Sequence, residues 1–132
     1  MTFTPTQWDT AQDKAAFAKR FILFVQSDFD AKHFTDKFYR RLSNTFGHIA
    51  NYNRAGFWAT FFTTTADKVQ CLEQTLQHPC YGDPAWTYSD VERALQGWLK
   101  ADGTVDRYRQ RLAVETEAGE RALLARLTQK FA

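Results

Sequence analysis

The chain has 132 residues, 44% hydrophobic and 24% charged, with 17 Lys and Arg against 15 Asp and Glu. That balance fits one folded domain with its own core and excludes a disordered segment. A net charge of +2 is too small by itself to indicate nucleic acid, and no apolar run approaches the about 20 residues of a spanning helix. Aromatic residues reach 16%, twelve of them Phe, and each buried ring removes roughly 150–250 Å² from water.

The first residues do not read as a secretory leader, because Met1 to Gln12 carries no Lys or Arg and the apolar run from Phe21 to Val25 is short. The expectation is a soluble, cytoplasmic protein with no membrane association. Cys71 and Cys80 stand nine apart without a second pair. That excludes a paired CxxC zinc site and favours two free, mostly buried thiols.

In chain order, Thr4-Pro5-Thr6-Gln7 predicts a capped helix start, with a second candidate at Asp9 or Thr10. Phe17, Phe21, Phe24, Val25 and Phe29 recur on one helical face. Ser27 to Asp30 predicts a break, and a second helix should run from about Asp30 to Thr45, its Phe34, Phe38, Leu42 and Phe46 four apart, ended by Gly47. Ala55 to Phe62 is apolar almost all round, the pattern of a helix buried on every side. Thr63 to Thr65 offers a cap for a helix over Ala66 to Gln77 with Val69, Leu72 and Leu76 inward, closed by Pro79. Pro79 to Tyr88 reads as a loop rich in aromatics, and Ser89-Asp90-Val91-Glu92 as a capping box opening a helix with Val91, Leu95, Trp98 and Leu99 on one face. After the turn at Asp102-Gly103, a last helix capped by Thr104 should reach Lys130, about 40 Å at 1.5 Å per residue. Its apolar stripe is Val105, Tyr108, Leu112, Gly119, Leu123, Leu127 and Phe131. With no period-two alternation and no repeat, the fold class is all-α: a compact single-domain bundle of five or six helices with a long C-terminal helix, occupying 1–132.

Catalytic and cofactor signatures are absent from the sequence: no GxGxxG, GxxxxGK[ST], HExxH or GxSxG occurs. A Cys80–His78 nucleophile lacks any sign of thiolate activation. Asp30 and His33 share a helical spacing that could chelate, but a polar first turn explains them as well. No catalytic residue, metal site or cofactor is assigned.

The distribution of charge is more informative than its sum. Residues 1–66 hold eight Lys and Arg against five Asp, a balance of +3, and no acidic residue lies between Lys37 and Ala66. Lys37, Arg40, Arg41 and Arg54 fall in that run, beside the polar stretch His48, Asn51, Tyr52. Such a basic and aromatic face suits base edges, phosphates or a partner's backbone, while the same residues also fit a solvated helix face or a buried network around Gly47. Three functions follow. The leading expectation is a small non-enzymatic binding protein that engages a protein or a nucleic acid through residues 37–58. The second is a small-molecule binder or enzyme with a pocket near His48, Asn51, Tyr52 and Trp58. The third is a self-associating subunit, a homo-oligomer joined through the C-terminal helix.

Overall fold

A computed structural model describes residues 2–47 and 53–131. Its order is α1 (Ala11–Gln26), a 3₁₀ turn (Ala31–His33), α2 (Asp36–Leu42), α3 (Arg54–Phe61), α4 (Thr65–Gln77), α5 (Ser89–Asp102) and α6 (Thr104–Phe131). No strand occurs among the described residues, so the all-α bundle with its long last helix stands as the sequence implies.

The core is a continuous aromatic cluster. Phe24, 1% exposed, meets Phe29, Phe34, Phe38, Trp58 and Phe62 at ring separations of 5.0 to 6.2 Å. Phe34 extends the cluster to Phe57, and Phe21 meets Phe46. Leu72, Val91, Leu95 and Leu99 close it from α4 and α5. Stacked and edge-on pairs of this kind add to the burial of their area. On the outside, α1 packs against α5, and the first half of α6 lies along α4.

The structure corrects the sequence at five places. The Thr4–Gln7 start is not helical. The Thr6 hydroxyl instead accepts the amides of Trp8 and Asp9, and α1 is capped by Thr10, whose hydroxyl accepts the Asp13 amide while its own amide donates to the Asp13 carboxylate in a capping box. The break after α1 is sharper than expected, with Asp28 and Phe29 both at φ 58. The helix expected over residues 30–45 is divided, because Asp30 caps a 3₁₀ turn through the Lys32 amide and Thr35 restarts the chain by accepting from the Phe38 amide. α3 is not buried all round: Phe57 and Phe61 point inward while Ala59 and Thr60 are exposed. Ser89 and Glu92 do not form a capping box. Ser89 donates to the Gly82 carbonyl, and Glu92 accepts from the Phe46 amide across 46 residues of chain.

The long helix divides into two unlike halves. Val105 and Tyr108 are buried, Leu112 is half-buried, and every residue from 113 to 131 is exposed. The first half is fastened at Asp28, whose carboxylate takes the Tyr108 hydroxyl at 2.5 Å, Arg111 at 2.8 Å and Lys68 at 3.4 Å. No helix among the described residues is long and apolar enough to cross a membrane.

Candidate functional site

Two cavities flank one ion pair. The guanidinium of Arg41, on α2, stands 3.1 Å from Asp9 and 4.0 Å from the centre of the Tyr88 ring. On one side lies a cavity of about 540 Å³ lined by Lys37, Arg40, Arg20, Asp13, Phe17 and Phe38, among others. On the other lies a cavity of about 470 Å³ that includes Trp8, Tyr81, Trp86, His78 and Glu92. Arg41, Asp9, Asn44 and Tyr88 belong to both.

The first cavity gathers three of the basic residues singled out in the sequence and changes their meaning. Lys37, Arg40 and Arg41 lie on the short helix α2, but carboxylates from α2 itself and from the start of the chain meet them. Asp36 sits 2.8 Å from Arg40, Asp9 holds Arg41, and Asp13 feels the charge of Lys37. Asp13 is held below the ordinary carboxylate range chiefly by its hydrogen bonds with Thr10, with Lys37 adding to the effect. A run without acids in sequence is therefore largely compensated in space. Arg54 does not join this group. It is exposed at the start of α3, behind the Asn53 cap. His48, Asn51 and Tyr52 lie outside the described residues. Trp58 does not line either cavity; it is half-buried among Phe24, Phe34 and Phe62.

The second cavity is where the structure adds most. Trp8, Tyr81 and Trp86 are 72%, 90% and 63% exposed. Beneath them, the buried Glu92 carboxylate faces the His78 ring nitrogen at 3.7 Å. Gly47, at φ +72, passes so close to that ring that an added Cβ would meet its Nδ1 at 2.9 Å. Burial pushes the Tyr88 phenol up to about 12; Arg41 opposes this and Asp9 adds to it. Tyr88 is thus a neutral platform for the Arg41 guanidinium, a cation–π contact strengthened by partial desolvation.

The aromatic loop is held from below by Lys14. Its side chain has no exposed surface, and its ammonium donates to the Pro84 and Thr87 carbonyls at 2.8 and 2.9 Å and to Asp90 at 2.9 Å. Gly82 keeps the same loop tight, since a Cβ there would meet the Thr87 hydroxyl at 2.6 Å. The sequence marks this loop by its Tyr and Trp content but does not pair it with Trp8 or Lys14, which lie 70 or more residues away.

The remaining candidates have structural partners. The Asp30 side chain caps its 3₁₀ turn and His33 meets Arg20 at 3.1 Å. Cys71 is buried with its thiol pushed up to about 12 by desolvation, and Cys80 is raised by burial and the nearby Glu92; both are free. Among the described residues, no group of three or more His, Cys, Asp and Glu could hold a metal ion. No family model, curated protein or solved structure matches the chain.

Proposed function

We propose that this protein is a non-enzymatic binding module that engages a protein partner through the face running from Lys37 and Arg40, across Arg41, to Trp8, Tyr81 and Trp86. The observation that carries it is the trio of large aromatic side chains standing exposed around one cavity beside a stacked arginine. Trp, Tyr and Arg dominate the energetics of protein interfaces. Exposing three large rings together costs solubility without a folding benefit, and such patches mark interaction sites. The loop bearing two of them is already ordered by Lys14, which lowers the entropy lost when a partner docks. The Arg41–Asp9 pair at the centre gives the face a fixed polar element for specificity.

A nucleic-acid partner is the second reading, favoured by Lys37, Arg40 and Arg20 around the first cavity. It is the weaker one, because phosphate binding draws on uncompensated charge and Asp9, Asp13 and Asp36 offset these bases. The test is affinity capture from a native extract, divided into nuclease-treated and untreated halves, with the wild type and a Trp8→Ala/Trp86→Ala variant. A discrete protein captured in both halves and lost with the variant is the expected result. Capture abolished by nuclease supports nucleic acid instead, and capture indifferent to both Trp changes overturns the face.

A further inference from the structure

From residue 113 onward every described residue of α6 is exposed. The face that α4 covers ends where the Thr65 hydroxyl meets Glu115 at 3.1 Å. The solvent-exposed stretch, residues 113 to 131, is 19 residues long, about 28 Å at 1.5 Å per residue. A helix of that length is marginal in water on its own and gains its stability from packing an apolar face. This one has such a face. Leu123, Leu124, Leu127 and Phe131, spaced i, i+1, i+4, i+8, share a stripe about 100° wide, yet they are 50%, 65%, 44% and 78% exposed.

Charge says what covers the stripe. Glu115, Glu117 and Glu120 precede it, Arg121 borders it in an i,i+4 pair with Glu117, and Arg126 and Lys130 lie within it, so the segment is acidic at its start and basic at its end. A parallel copy would set like charges side by side, whereas an antiparallel copy sets the acidic half of each against the basic half of the other. We propose that the projecting half of α6 binds the same segment of a second copy, antiparallel, about a two-fold axis near Leu123. That register lays the acidic turn 115–120 of each copy alongside the basic turn 126–130 of the other and brings Leu127 over Gly119 of the partner, where nothing lies within 4 Å of an added Cβ in one copy. One self-complementary patch then serves both copies, as a two-fold interface requires. This surface is separate from the aromatic face and does not depend on it.

Sedimentation equilibrium of the purified chain over a wide concentration range tests the proposal. The expected mass is twice 15.3 kDa at high concentration, and Leu124→Glu/Leu127→Glu should leave a monomer. The near-ultraviolet circular dichroism of that variant should match the wild type, because both positions lie outside the core. Its far-ultraviolet helix signal should fall as the unpaired segment frays. Arg126→Glu alone should weaken association about tenfold or more, and Arg126→Glu with Glu120→Lys should restore most of it. A monomer at every concentration, or a dimer unmoved by the Leu changes, overturns the proposal. A dimer lost with the Leu changes but indifferent to the charge reversal overturns the antiparallel arrangement.

Discussion

The ammonium of Lys14 lies 2.9 Å from the Asp90 carboxylate with none of its side chain exposed. Two loop carbonyls take its other protons, so all three donors of a buried cation are matched. Asp90 in turn accepts the amides of Thr4 and Val91. Burial would raise its carboxyl, but Lys14 and those amides outweigh burial and hold it below the ordinary range. One pair therefore joins α1, the segment at Thr4, the aromatic loop and the start of α5.

Lys14→Met keeps the apolar stem and removes the charge. It should cost about 3–5 kcal/mol, the penalty for leaving one partner of a buried pair alone, measured by urea unfolding. A loss below about 1 kcal/mol would show that the ammonium is dispensable to the fold.

Phe24→Ala should cost about 3–5 kcal/mol through lost burial and the cavity left among five neighbouring rings. Trp8→Ala, at an exposed position, should change stability by no more than about 0.5 kcal/mol. Similar losses at both would contradict the separation of core from binding face.

Acid should loosen α6 from the body. Burial raises the Asp28 carboxyl, but hydrogen bonds from Tyr108 and Arg111 and the charge of Lys68 outweigh it, so its native value lies below 3.8. A depressed carboxylate contributes stability that is complete above the unfolded value and is lost as pH falls through the native one. Stability against urea should therefore decline below about pH 4, and Asp28→Asn should flatten that decline.

Thiol chemistry separates the two cysteines. With its thiol pushed up to about 12, Cys71 should resist alkylation in the native protein and react only on unfolding. The half-exposed Cys80 should react first. Labelling followed by peptide mass analysis reads the order, and equal native rates would place Cys71 outside the core.

Local signals were the legible part of the fold. Thr64 before Ala66, Gly103 after Asp102 and the i, i+4, i+7 spacing of Phe17, Phe21 and Phe24 each act within a turn or two, and each is found where the sequence puts it. Failures came where a distant group outbid a near one. Ser89 and Glu92 have the spacing of a cap, but Gly82 and Phe46 take their side chains. Nothing near Lys14 in sequence announces its burial, which depends on Asp90 being brought beside it. The basic run from Lys37 is legible as sequence, but Asp9 and Asp13 meet it only through the packing of α1 on α2. Trp8 and Trp86 share a cavity for the same reason, and no local pattern announces it.

The staple at Asp28 has a kinetic consequence. Its bonds to Tyr108 and Arg111 span 80 and 83 residues, and the Lys14–Asp90 clamp spans 76. The helices themselves need only neighbours, so they can form within microseconds. The side-chain bonds across such spans can form only once the docked helices have closed the loop, so they come after the slow step. Contacts made after the transition state act on unfolding rather than folding. Asp28→Asn should then steepen the escape from the native state while leaving the refolding rate almost unchanged, making this carboxylate a latch on the lifetime of the fold.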